Sequence, residues 1–209
     1  MSFTRYSPVL AFLVLILPTS VWANSVTWQN VGGQITASGN VLSLSGSTMS
    51  GLTPSSTSSS GLSGDNFSFT TGPLVSGTLS GGGTFAAGGS ITISGSGTNG
   101  IPLGVVFHGT FTGSTSWTAT WNQNAGPNHD GRWYYSLSGS FAGTLSNGQH
   151  VSGKVTENTF DVPGGKAFDS SVDLNGGVLN ISVPEPETLS LMWTGLLAIG
   201  AFVKRQHPR

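Results

Sequence analysis

The chain has 209 residues, a formal net charge of −1, 32 glycines and no cysteine. Without Cys there are no disulfide staples, thiol nucleophiles or thiolate metal sites. Between residues 24 and 182, Arg132, Lys154 and Lys166 stand against Asp65, Asp130, Glu157, Asp161, Asp169 and Asp173, a sparse acidic balance with no electrostatic route to nucleic acid. The abundance of Gly, Ser and Thr would suit a disordered chain, but the aromatic content of 10% falls in alternating patterns that build sheet faces.

Taken from the N-terminus, Arg5 precedes the apolar run Val9 to Leu17, and Val21-Trp22-Ala23 follows. A charge, an apolar core too short to span a bilayer and small residues before a cut describe a signal peptide over residues 1–23, so export is expected. Next, Ile35/Ala37 and Leu42/Leu44 flank Ser38-Gly39-Asn40 as a tight hairpin. Ser47 to Gly64 offers little to bury and reads as a loop. Gly83-Thr84-Phe85, Gly109-Thr110-Phe111 and Gly139-Ser140-Phe141 echo one another at unequal spacing, which argues against a solenoid.

From residue 105 onward the period is two. Val105, Phe107 and Phe111 share one face; Trp117, Ala119 and Trp121 share another; Trp133, Tyr135, Leu137 and Phe141 a third. Tyr134 points opposite to its neighbours. Asn147-Gly148 and Asn175-Gly176 both read as hairpin turns. The expected fold for residues 24–182 is all-β, an antiparallel β-sandwich. A β-helix is the alternative, suggested by Gly88 to Gly97, "GGSITISGSG".

Residues for catalysis are sparse. Glu157 and Asp161 supply two carboxylates of the kind glycoside hydrolysis needs, yet sequence proximity does not bring them to one pocket, and a solvated loop explains them. Asn128, Asp130 and Gly131 echo an oxygen-rich calcium loop that lacks its further acidic ligands. His108, His129 and His150 have no companions at metal-ligand spacing. No G-x-S-x-G elbow is present. The expectation is a non-enzyme with neither metal nor cofactor. Trp117, Trp121, Trp133 and Tyr134 are the candidates for stacking on sugar rings, with a core role as the competing explanation.

The chain closes with Val183-Pro184-Glu185-Pro186, an uncharged apolar run from Leu189 to Val203, and the basic pair Lys204-Arg205. The prolines force an extended peptide. As a helix at ~1.5 Å per residue, the run is a short transmembrane segment, completed by interfacial flanks and snorkelling basic residues. The basic tip stays cytoplasmic by the positive-inside tendency. Motif, span and tip together resemble the PEP-CTERM sorting signal of exported bacterial proteins, over residues 183–209 only. Gln206, His207 and Pro208 depart from the usual compact Arg-rich tip. The resemblance implies processing by exosortase, an integral-membrane cysteine protease of transpeptidase type. It also implies membrane anchoring before processing, and then a place at the cell surface or in an exopolysaccharide or biofilm matrix. It implies nothing about the activity of the β domain.

Overall fold

The computed structural model describes residues 25–54, 65–98, 102–163 and 167–182. The expected signal peptide (1–23), the sorting tail (183–209) and the stretch 55–64 lie outside the described residues. Among the described residues, no helix is long and apolar enough to cross a membrane.

The strands are β1 (Ser25–Val31), β2 (Gln34–Ser38), β3 (Val41–Pro54), β4 (Asn66–Thr70), β5 (Leu74–Thr78), β6 (Gly82–Phe85) and β7 (Gly88–Ser96). They continue with β8 (Leu103–Phe111), β9 (Thr115–Asn122), β10 (Arg132–Leu145), β11 (His150–Thr159), β12 (Val162–Pro163) and β13 (Ser171–Ser182). Every pairing is antiparallel. That removes the β-helix alternative, whose coils pair in parallel: the "GGSITISGSG" segment is β7, held antiparallel between β4 and β8.

Successive ladders run β1–β3–β4–β7–β8–β10–β11–β13 and return to β1. This closed circuit pairs both sides of each member and leaves few raw edges for aggregation. β1 and β2 fill one slot between β3 and β13, in continuous register on either side of Gly32-Gly33. β9, β6 and β5 extend from the N-terminal half of β10.

Alternation places the core where the sequence pattern expects it. Ile35, Leu42, Leu44, Phe107, Phe111, Trp117, Tyr135, Leu137 and Phe141 are all buried. The echoed triplets share one use, since Phe85, Phe111 and Phe141 all point into the core. Two turns also form as expected. Gly39-Asn40 joins β2 to β3, and Gly148, at φ +85°, closes the β10–β11 hairpin while Asn147 Oδ1 accepts the Gln149 N–H at 3.0 Å.

Three expectations fail for physical reasons. Ser47 to Pro54 is strand rather than loop, because Met49 is buried and the buried Ser47 hydroxyl accepts a side-chain hydrogen bond. Asn175-Gly176 is no hairpin. β13 runs straight through it, and Asn175 is the extra residue of a bulge, since Thr159 pairs with Leu174 and Asn158 with Gly176. Val105 is exposed, because Val106 is the extra residue of a bulge against β7 and the alternation inverts beyond it.

Candidate functional site

The aromatic residues of β9 and β10 form a ladder on the inner face that runs from the core outward. Trp117 stacks on Tyr135 at 5.0 Å, Tyr135 on Trp133 at 6.2 Å, and Trp133 meets Trp121 at 5.2 Å. Cross-strand register sets this order, pairing Trp121 with Trp133 and Trp117 with Leu137. Phe168 packs edge-on to Trp117 at 5.5 Å and beside Tyr135 at 5.8 Å. The Tyr135 hydroxyl donates to the Ser80 carbonyl at 3.0 Å and accepts the Phe168 N–H at 2.8 Å. Burial raises its phenol above the ordinary value, against the opposing pull of that N–H.

The four aromatic candidates therefore do not make one platform. Trp117 is 1% exposed and its indole N–H donates to the Leu79 carbonyl at 2.7 Å, so it is a core residue and not a sugar-stacking surface. Trp133 is half-buried and Trp121 is 42% exposed; with Asp130 and Ala167 they line a shallow cleft of about 490 Å3 at the outer end of the ladder. Tyr134, 39% exposed, lies on the opposite face of β10.

On Tyr134's side the sheet is not flat. The β10–β11 ladder pairs Ser136 with Asn158 and resumes as β10–β12 at Trp133 and Val162. Two residues of β10 thus face three of the opposing chain, and the Tyr135 N–H donates to Thr159 Oγ1 at 3.2 Å. The Asn175 bulge lies on the far side of the same segment. Adjacent bulges bend and twist a sheet locally, and here they open a cleft of about 480 Å3 lined by Asn122, Tyr134, Asn158, Phe160, Asp161 and Asn175, among others. Phe160, 51% exposed, is anchored by its N–H to the Asp173 carbonyl at 2.9 Å.

Arg132 lies between Asp130 and Asp161, with Nη2 and Nε each 3.4 Å from a carboxylate oxygen. Asp130 is thus engaged with Arg132, and among the described residues no cluster of His, Asp or Glu is fit to hold a metal ion. His129 adopts φ 54° and its Nδ1 lies 3.0 Å from the Asn124 carbonyl, a turn-stabilising contact in the β9–β10 connection. His150 contacts Thr144 and His108 is exposed.

The two hydrolase-type carboxylates have different surroundings. Asp161 is at the surface, whereas Glu157 is 0% exposed. It accepts from Asn30 Nδ2 at 3.0 Å, and that same Nδ2 lies 2.9 Å from Ser47 Oγ. Asn30 and Glu157 both pair with Gly177, from opposite sides of β13. They can meet above Gly177 because it has no Cβ, which would overlap the Glu157 carboxyl. Burial pushes the Glu157 carboxyl up to about 8, with the Asn30 hydrogen bond opposing. Among the described residues, Glu157 Oε1 and Asn30 Oδ1 have no partner. Glu157 does not lie in the expected solvated loop: it sits within β11 and is fully buried, because strand parity turns its side chain inward onto Asn30, a pairing that the sequence does not reveal.

No protein-family model matches the chain, and no curated protein or solved structure is significantly similar to it.

Proposed function

We propose that the chain is an exported, non-catalytic surface or extracellular-matrix protein, sorted by exosortase through its C-terminal tail and associated with exopolysaccharide. The observation that carries this reading is the order Val183-Pro184-Glu185-Pro186, uncharged run, Lys204-Arg205, at the opposite end of the chain from Arg5 and the apolar run Val9 to Leu17, with the β domain between them. The antiparallel circuit, hydrogen-bonded all the way round, has the connectivity of a closed barrel, and flattening it would press opposite halves face to face as in a sandwich. Such a fold suits a cysteine-free domain outside the cell, because its backbone polar groups are satisfied internally. The separation of Glu157 from the surface weighs against a paired-carboxylate hydrolase. A second reading, a carbohydrate-binding module or adhesin, is favoured by the exposed rings of Trp121, Tyr134 and Phe160.

Mass spectrometry of C-terminal peptides, on protein recovered from its native cell surface and medium, tests the sorting reading. A chain ending near Pro186 without Leu189 to Arg209 is expected. Recovery of mature protein still carrying Arg209 would refute exosortase processing and leave a permanently tethered domain.

A further inference from the structure

We infer that the cleft on the Tyr134 side of the sheet is a binding site for a neutral polysaccharide chain, with Tyr134 and Phe160 as its stacking rings. The inference deepens the exopolysaccharide reading and rests on it for the source of the ligand. Two bulges in neighbouring ladders, at Thr159–Asp161 and at Asn175, turn the flat outer face into a concavity, and bulges are a recurrent means of re-aiming side chains at functional sites. A volume of about 480 Å3 falls within the ordinary range for ligand sites, about 300–1,000 Å3.

The lining then selects the ligand. Asn122, Asn158 and Asn175 are exposed and bring both amide donors and amide acceptors, while Thr120 and Ser136 add hydroxyls. Exposed Tyr134 and Phe160 offer ring faces of the kind that cover the apolar face of a pyranose. Among the described residues the one carboxylate that lines the cleft, Asp161, is partnered by Arg132. Among the described residues no basic side chain lines the cleft. An anionic ligand would meet no countercharge there, and a cationic one only a carboxylate already paired.

A peptide is the weaker fit. Strand addition needs a free backbone edge; at the cleft β10, β11 and β13 are flanked on both sides, and β9, whose pairing with β6 ends at Trp117, is open only on its side away from β10, leaving side chains as the recognition elements within the cleft. Among the described residues, the Trp121–Trp133 cleft by contrast has one charged group, Asp130, and no side-chain amide to read ring hydroxyls.

The test uses the purified full-length chain in mild detergent, with affinity electrophoresis and calorimetry against three probes. These are neutral glucans and mannans, anionic uronate polymers, and exopolysaccharide isolated from the producing cells. Binding to a neutral polymer with little dependence on salt is expected. Tyr134→Ala and Phe160→Ala should each weaken it roughly tenfold, while Val75→Ala, at an exposed position of β5 outside the cleft, leaves it unchanged. Both target side chains are surface-exposed, and unchanged far-UV and near-UV circular dichroism checks that each variant keeps the fold. Neutral-glycan binding that is lost in Trp121→Ala but kept in the Tyr134 and Phe160 variants would overturn this site while leaving the exopolysaccharide reading intact. Salt-sensitive binding to uronates alone would overturn the ligand class. No binding to any of the polymers would overturn both the site and the association with exopolysaccharide, without touching the sorting reading.

Discussion

Replacing Glu157 by Gln should stabilise the protein at neutral pH, and by an amount that grows with pH. The carboxyl is fully buried, its value raised from 4.5 to about 8 chiefly by desolvation. Below pH 4.5 both native and unfolded chains hold the proton and the group makes no pH-dependent difference. Between 4.5 and about 8 the unfolded chain releases its proton while the native state keeps it. Unfolding therefore releases a proton, and stability falls as pH rises, by about 1.36 kcal/mol per pH unit. Above about 8 both states are ionised and the loss levels off. At pH 7, about 2.5 units above 4.5, the accumulated penalty is about 3 kcal/mol. A glutamine escapes it: its oxygen can accept from Asn30 Nδ2 as the carboxyl does, and its amide brings a donor to a cluster where Asn30 Oδ1 lacks a partner.

Urea denaturation followed by tryptophan fluorescence, from pH 4.5 to 9, measures the difference. Wild type and Glu157→Gln should nearly coincide at pH 4.5 and diverge to about 3 kcal/mol at pH 7, or about 6–12 °C in Tm for a domain of this size. Subtracting one protein from the other removes every other titrating group. Parallel pH profiles, or a glutamine variant weaker than wild type at pH 7, would refute the reasoning. Either result would mean that the native carboxylate is charged and satisfied.

Gly177→Ala should destabilise by about 1–3 kcal/mol, because the added methyl overlaps the Glu157 carboxyl. In a double-mutant cycle with Glu157→Ala that loss should shrink, whereas strict additivity would show that the two positions do not touch. Tyr135→Phe removes the hydroxyl that bridges Phe168 N–H and Ser80 C=O. A loss of about 1–3 kcal/mol is expected from the orphaned groups, with the Trp117 stacking signal in near-UV circular dichroism retained; an unchanged urea midpoint would show that water replaces the bridge.

Much of the interior was legible from alternation alone. Strand parity places Phe107, Phe111, Leu137 and Phe141 inside and separates Tyr134 from Trp133 and Tyr135, since side chains of a strand must point to opposite faces in turn. Parity does not say where along a strand the core ends. Trp117 and Trp121 share a face, yet one is sealed beneath Phe168 and the other reaches solvent, and only the packing of distant segments decides that. The two Asn-Gly pairs make the same point about turns. At Asn147-Gly148 the flanking strands pair with each other and a hairpin forms. At Asn175-Gly176 the flanks are claimed instead by β2 on one side and by β1 and β11 on the other, so the same dipeptide becomes a bulge within one strand. That bulge, with its neighbour at Thr159–Asp161, shapes the candidate cleft. Its register is set by the β11–β13 pairing while β1 and β2, more than a hundred residues away in sequence, hold the other edge of β13, and no local pattern encodes that combination.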